Sequence, residues 1–300
     1  MYTEVLNKYK LNNIPFELNV PMSEHTTFRI GGPADVYARP ADIESFILAV
    51  KIAKEENIRY FVLGRGSNLI FSDNGFKGII ISTENLKKIS IDGTRIICEC
   101  GVTLTTLAQK ARDCSLAGLS FAYGIPGFVG GAVYMNAGAY GGQISDVLVK
   151  STYYDVTSDE ICSISSIEHE FGYRDSIYKK NPNKIILSAE FQLNIGDSAV
   201  IRNEMEDFMD RRRTKQPLEY PSAGSVFKRP EGYFVGQIVE ESGLKGMTIG
   251  GAKVSEKHAG FIVNAGGATA NDVIELIEYI KEKIRSRYSV ELVCEIIYVD

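Results

Sequence analysis

The first chemistry legible in this 300-residue chain belongs to its backbone amides. Three loops gather glycine: RIGGPAD (29–35), LGRGSNLI (63–70) and YGIPGFVGGAVYMNAGAYGG (123–142), the last with seven glycines. Successive N–H groups in such turns point into one concavity and bind anions. Glycine permits the close approach this needs, and phosphate is the natural guest. One such loop alone reads as a tight turn. Three together, one of them so dense, point to a large ligand containing a diphosphate.

Familiar phosphate motifs do not account for these loops. Gly64-Arg65-Gly66 follows an extended run, but Leu69 stands where G-x-G-x-x-G needs its third glycine, and Ile70 to Gly75 does not read as a helix. A doubly wound dinucleotide site is therefore not expected. No G-K-[ST] occurs, so there is no P-loop, and no G-x-S-x-G points to a serine hydrolase. His25, His169 and His258 lie far apart, and Cys98 and Cys100 read as alternate residues of one strand, so no metal site is expected.

The elements that must carry these loops alternate between strand and helix. Asp35 to Tyr37 is extended up to Pro40, and Asp42 to Asn57 reads as a helix with Ile43, Phe46, Ile47, Val50 and Ile52 on one face. Tyr60 to Leu63, Gly78 to Ser82 and Arg95 to Cys100 read as strands. A helix is expected over Leu104 to Leu116, capped at Ala117-Gly118, followed by strands at 147–156 and 184–195. Residues 199–213 form an amphipathic pattern with Ile201, Met205, Phe208 and Met209 inward. Asn271 or Asp272 caps a helix to Tyr288, and Val290 to Val299 closes the chain as a strand. The alternation argues α+β or α/β, with a boundary near 196–200 at Asn194-Ile195-Gly196-Asp197.

Composition narrows the class. There are 33 basic and 38 acidic residues, a net charge of −5 that argues against nucleic-acid binding. No window is apolar enough for a membrane span, and MYTEVLNKYKLNNI carries no apolar signal segment. Five scattered cysteines suggest reduced thiols, and a cytoplasmic location is expected.

Taken in order, seven segments remove the ambiguity: TTFRIGGPAD (26–35), LGRGSNLI (63–70), GIPGFVGGAVYMNAGAYGG (124–142), FGYRDS (171–176), QPLEYPSAGSVFKRP (216–230), GLKG (243–246) and GGAKVSEKHAGFIVNAGGATANDV (250–273). Together they closely resemble the UDP-N-acetylenolpyruvoylglucosamine reductases, flavoenzymes of peptidoglycan precursor synthesis. The likeness runs from about residue 20 to the end. Only 51 positions separate Arg174 from Ser225, which is similar to the shorter, type II branch.

The resemblance implies an α+β protein. An FAD-binding region of the vanillyl-alcohol-oxidase (PCMH) type would cover 1–196, in subdomains of about 1–83 and 84–196. A substrate-binding domain would follow at 197–289, with 290–300 a terminal strand bringing Glu295 back toward the flavin. FAD would be held non-covalently, since the phosphate loops contain no His, by Arg29, Ile30, Gly31, Gly64, Arg65, Gly66, Ser67, Asn68, Leu69, Gly124, Ile125, Pro126, Gly127, Val129, Gly130, Gly131, Ala132, Asn136, Ala137 and Gly138. The implied reaction moves hydride from NADPH through FAD to the enolpyruvyl group of a UDP-sugar, giving UDP-N-acetylmuramate. Neither nucleic acid nor membrane is an expected partner, and the oligomeric state stays open.

The resemblance also distributes the chemistry. Arg174 would bind the substrate carboxylate, which a planar, bidentate cation suits. Glu295 would donate a hydrogen bond to the enolate-like intermediate, which needs a carboxyl that keeps its proton. Ser225 would deliver the proton, and Tyr140, Lys215 and Arg229 would contact the substrate. From spacing alone, Arg174 reads as an ion pair with Glu170 or Asp175, Glu295 as a strand-edge carboxylate, and Ser225 as a turn-closing serine. Arg211 to Arg213 read as cations favourably placed at a helix C-terminus. Cys294, Ile297 and Asp300 depart from the family pattern of a Pro, a basic residue and a Gly, which leaves the basic residue's contact unassigned. Two other readings compete: an FAD oxidase or dehydrogenase of another sugar or hydroxy acid, and a nucleotide-sugar sensor without activity. NADPH consumption dependent on the UDP-sugar separates the first, and a colourless purified protein would favour the second.

Overall fold

The computed structural model describes residues 2–300, which fall into two compact units. One comprises the segment ending at Glu17 with Val36–Arg65 and Gly78–Arg211; the other comprises Leu18–Asp35, Gly66–Lys77 and Arg212–Asp300.

The first unit is built on a five-stranded antiparallel sheet. Its order is Glu160–Ser165, Leu148–Asp155, Lys184–Gln192, Arg95–Glu99 and Ile89–Asp92. Burial along these strands alternates, so one face packs inward and the other meets solvent. Tyr60–Leu63 and Phe76–Ser82 pair in parallel in a second sheet. Helix Ile43–Glu55 leads into Tyr60–Leu63, and it starts where Asp42 accepts from the Ser45 amide and Ser45 answers the Asp42 amide. Such a capping box is worth about 1 kcal/mol. Phe46, Val50, Ile79, Ile81, Ile96, Leu107 and Phe191 are wholly enclosed in one core.

The second unit has its own core, in which Val273, Leu276, Ile280 and Ile284 of helix Ala270–Tyr288 pack with Ala252, Val254 and Ile262 of a four-stranded antiparallel sheet. The strand order there is Ser222–Ser225, Phe261–Asn264, Ala252–Val254 and Thr248–Ile249. The last strand of the chain, Ile297–Val299, runs parallel to Leu69–Phe71, with Ile297 opposite Leu69. The expected α+β class holds.

Several boundaries differ from the sequence reading, each for a local reason. Helix Leu104–Asp113 stops at Cys114, because Ser115 turns into a left-handed conformation and Leu116–Ala117 pairs with Asn194–Ile195. Thr269, not Asn271 or Asp272, caps the last helix; its hydroxyl accepts from the Asp272 amide and Asp272 returns the bond. The third helix spans Ser198–Lys215, and only Ile201 and Met205 of its expected inward face are fully buried. The closing strand is confined to Ile297–Val299, so Glu295 precedes it. Among the described residues, no helix is long and apolar enough to cross a membrane.

Candidate active site

Arg174 sits on a loop that the chain closes tightly. Gly172 and Asp175 exchange backbone hydrogen bonds of 3.1 and 3.3 Å, leaving Tyr173 and Arg174 at the tip with Arg174 at φ +56°. A steric cost of about 1 kcal/mol, from Cβ against the backbone, attends that conformation in a non-glycine residue. The guanidinium is anchored along one edge: Nη2 donates to the Gly138 carbonyl at 3.1 Å, and Nη1 reaches the Asn136 carbonyl at 3.5 Å. Lys179 Nζ donates to the Arg174 carbonyl at 3.0 Å, and Ser176 Oγ to the Tyr134 carbonyl at 2.7 Å. Glu170 pairs with Lys180. Arg174 is thus a half-buried arginine held against the glycine-rich segment.

Asn136, expected to hold cofactor, commits its side chain to the protein. It is 2% exposed; Nδ2 donates to the Gly172 carbonyl at 3.1 Å and to Gln143 at 3.3 Å, while Oδ1 accepts from the Ser145 amide at 3.0 Å. Nearby, the amides of Ile125, Gly127, Val129 and Gly130 donate to the carbonyls of Ala122, Ile125, Val102 and Cys100. Any contact of these four with a phosphate would therefore be close approach of backbone, not donation by their amides. The segment otherwise fits a bound group. Ser120 Oγ is buried without a protein partner just ahead of Tyr123-Gly124, and a Cβ on Gly131 would meet no heavy atom within 4 Å. Pro126 is exposed, Ala132 is buried within helix Val129–Tyr134, and Ala137 lies part-buried between Asn136 and Gly138. Tyr140 stacks on Phe208 at 4.7 Å and 9°.

The second unit gathers the other two catalytic candidates. Ser225 ends a strand whose register with Phe261–Asn264 shifts between Ser222 and Ser225. Irregularities of this kind re-aim a side chain. Its hydroxyl makes only a long contact, 3.4 Å, to the Phe227 carbonyl, so the turn-closing role is weakly filled. Gly224 beside it is at φ +82° with open space on its Cβ side. The Glu295 amide donates to the Val226 carbonyl at 2.8 Å, and Cys294 bridges Phe227, so Ser225 and Glu295 lie on adjoining chain segments. Both are part-exposed. Burial pushes the neighbouring Cys294 thiol up, partly offset by Lys281.

The LGRGSNLI loop is tied to that terminal segment. Asn68 Nδ2 donates to the Glu295 carbonyl at 2.9 Å, the Ile297 amide donates to the Asn68 carbonyl at 3.0 Å, and Leu69 pairs with Ile297. Gly66, at φ +65°, leaves no room for a side chain: a Cβ would stand 2.3 Å from the His25 carbonyl oxygen. Gly64, Ser67 and Gly31 are part-exposed, Arg65 and Arg29 are exposed, and Ile30 is buried. Lys215 is exposed at the end of its helix, where Arg211 pairs with Asp207. The Arg229 guanidinium lies 3.9 Å above the Phe234 ring.

Sequence reasoning gave Asn264 no role and passed over Asp73. Asn264 Oδ1 accepts from the Gly266 and Ala268 amides, and Nδ2 reaches the Phe28 and Arg29 carbonyls at 3.4 Å. Asp73 accepts from the Ala270 and Asn271 amides at 2.8 and 3.1 Å, placing a carboxylate at the positive end of helix Ala270–Tyr288. Only the Asn-x-Gly-Gly pattern offered a signal for the first; Asp73 lies too far away in sequence to offer one. Among the described residues, no cluster of three or more His, Cys, Asp or Glu could hold a metal.

Comparison with known proteins supplies the rest. Residues 216–299 match the family described as UDP-N-acetylenolpyruvoylglucosamine reductase, C-terminal domain, and residues 34–162 match an FAD binding domain. The UDP-N-acetylenolpyruvoylglucosamine reductase of Syntrophomonas wolfei is 47% identical over 297 residues, covering 99% of this chain and 98% of that protein. That of Clostridium novyi is 45% identical, covering 97% and 93%. The crystal structure of the Thermus caldophilus reductase superposes with a TM-score of 0.80 at 30% identity, over 96% of this chain and 99% of the other.

Proposed function

We infer the chemistry from one premise: the chain belongs to the UDP-N-acetylenolpyruvoylglucosamine reductase family. It is an FAD-dependent oxidoreductase of peptidoglycan precursor synthesis, reducing the enolpyruvyl ether of UDP-N-acetylglucosamine to UDP-N-acetylmuramate with NADPH. Bound FAD supplies the hydride relay between the nicotinamide and the enolpyruvyl carbon. Everything else falls to this chain's own groups. The loops 29–31, 64–69 and 124–138 are the segments we assign to holding FAD.

Addition of hydride to an enolpyruvate drives negative charge onto its carboxylate, and fixed donors aimed there lower the barrier. We assign that task to Arg174, whose loop is pinned by the protein's own groups. Ser225 supplies the proton to the adjacent carbon, and Glu295 is the donor to the enolate oxygen. Lys215, Arg229 and Tyr140 are assigned to the UDP-sugar. A functional division into 1–196, 197–289 and 290–300 goes with these assignments, as does a cytoplasmic setting, where the nucleotide sugar is made.

One observation carries the residue assignment: the bond from the Glu295 amide to the Val226 carbonyl puts the two proton-handling groups on neighbouring segments. The test is a stopped-flow separation of the half-reactions. In Ser225→Ala, NADPH still bleaches the flavin at the unsubstituted rate, while reoxidation by the enolpyruvyl sugar stalls. Equal slowing of both steps would remove Ser225 from proton delivery.

A further inference from the structure

The FGYRDS loop is bracketed by a buried polar chain that the chemistry above does not use. His169 is 0% exposed and Ser151 1%. His169 Nδ1 lies 2.8 Å from the Ser165 carbonyl and 3.3 Å from that of Ser166. A carbonyl only accepts, so Nδ1 carries the proton and Nε2 of the neutral ring is an acceptor. Ser151 Oγ, 2.6 Å from Nε2, must then donate to it. With its proton spent, the same oxygen accepts from the Tyr178 hydroxyl. Polarity is thus fixed from end to end: Tyr178 to Ser151 to His169 to the Ser165 carbonyl. Burial lowers the imidazole's proton affinity, which keeps it in this neutral form.

Geometry excludes the obvious alternative. A serine–histidine pair at hydrogen-bond distance has the look of a nucleophile and its base. This pair is closed off from solvent, and every polar atom in it faces another one of the protein. Its place in the chain suggests the real use. His169 stacks flat on Phe171, at 4.9 Å and 7°, and its edge meets the Tyr178 ring at 5.9 Å. Residues 169–171 enter the loop and Tyr178 leaves it, so both ends are fastened to Ser151 on strand Leu148–Asp155. Between them, the Gly172–Asp175 turn presents Arg174, clamped from the other side by Asn136.

We propose that the Tyr178–Ser151–His169 chain is a positioning device that sets Arg174 for the carboxylate of the enolpyruvyl group. This rests on the function assigned above. The three residues act through the loop and touch no substrate. Supporting groups of this kind commonly govern activity by factors of about 10–100, because small displacements of a charged donor are felt steeply.

The test uses the holoenzyme with Ser151→Ala, Tyr178→Phe and Ser151→Thr. Calorimetric titration of the oxidised enzyme with the enolpyruvyl sugar gives affinity without turnover. We expect Ser151→Ala to weaken it roughly tenfold and Tyr178→Phe by a few-fold, with Ser151→Thr restoring most of the loss by returning the hydroxyl. UDP-N-acetylglucosamine, which lacks the carboxylate, should bind all four proteins alike. Flavin reduction by NADPH should stay within about twofold while reoxidation by the sugar slows. Equal weakening toward both nucleotide sugars, or unchanged affinity in both Ser151→Ala and Tyr178→Phe, overturns the proposal. Tyr178→Phe removes one oxygen and no volume, so it decides the matter if Ser151→Ala does not fold. An unsubstituted enzyme that binds the sugar but is not reoxidised by it would instead strike the assigned function.

Discussion

Asn136 offers the sharpest test of how the glycine-rich segment is held. Its conversion to alanine removes the bonds to the Gly172 carbonyl and Gln143, and strips the Ser145 amide of its partner. Each buried bond is worth about 1 kcal/mol, and an amide left unpaired adds about 1 kcal/mol more. The residue also sits at φ +43°, which asparagine tolerates and alanine resists by about 1 kcal/mol. Together the change costs on the order of 5 kcal/mol, a fall in thermal midpoint of roughly 10–20 °C for a chain of this size. Asn136→Gly loses the same bonds without the backbone strain, so it should be about 1 kcal/mol less damaging than Asn136→Ala. Asn136→Asp keeps an acceptor for Ser145 but turns a second carboxylate oxygen on the Gly172 carbonyl, and should be no better than alanine. Chemical denaturation of the four proteins measures this ranking. An alanine variant as stable as the glycine one, or within about 0.5 kcal/mol of the unsubstituted protein, would refute the clamp.

The remaining expectations concern the second unit. Asp73→Ala removes the carboxylate from two amides at the head of helix Ala270–Tyr288 and should cost about 1–2 kcal/mol, with Asp73→Asn recovering part of it; equal stability of Asp73→Ala and the unsubstituted protein would deny the cap. His258 accepts from the Gly260 amide at Nδ1, and burial lowers its proton affinity below the ordinary value of 6.5, with Lys245 adding to the effect. The unfolded chain therefore binds a proton that the folded one refuses just below pH 6.5, so stability rises with pH through that window and is lost on acidification. Thermal midpoints measured from pH 7.5 down to pH 5 should fall, and less steeply in His258→Asn; a midpoint flat in the unsubstituted protein would contradict the neutral ring.

What the sequence disclosed follows from the range of the interactions involved. Helix Ile43–Glu55 was legible because its cap, Asp42 and Ser45, and its apolar stripe lie within one stretch of chain. The same holds for helix Ala270–Tyr288, although its true cap, Thr269, stood two or three residues earlier than expected. Helix Leu104–Asp113 was overextended because what ends it is a pairing with Asn194–Ile195, some eighty residues away. Within the site, the motif marked Arg174, Ser225 and Glu295, yet not their supports. The resemblance implied a cofactor contact at Asn136, but not the clamp its side chain makes, because Gly172 and Ser145 become its neighbours only in the fold. The partners of His169, Ser151 and Tyr178, are hidden from the sequence in the same way.

The unusual end of the chain shows why a departure from pattern need not move a functional group. Cys294 precedes Glu295 and Ile297 stands two residues after it, where the resemblance leads one to expect a Pro and a basic residue. The terminal segment nevertheless uses backbone atoms in the bonds that fix the Glu295 main chain. Its amide donates to Val226, its carbonyl accepts from Asn68, and the Ile297 amide donates to Asn68 in return. Backbone bonds are indifferent to side-chain identity so long as the conformation is extended, which Cys and Ile both allow. Ile297 is also a good strand residue for its pairing with Leu69. Placement of Glu295 therefore depends on Asn68, the one side chain in this set of bonds. Substitution of Asn68 by Ala should disturb the terminal strand more than reversion of Cys294 to Pro or of Ile297 to Lys, a contrast readable in the hydrogen exchange of the Ile297 amide.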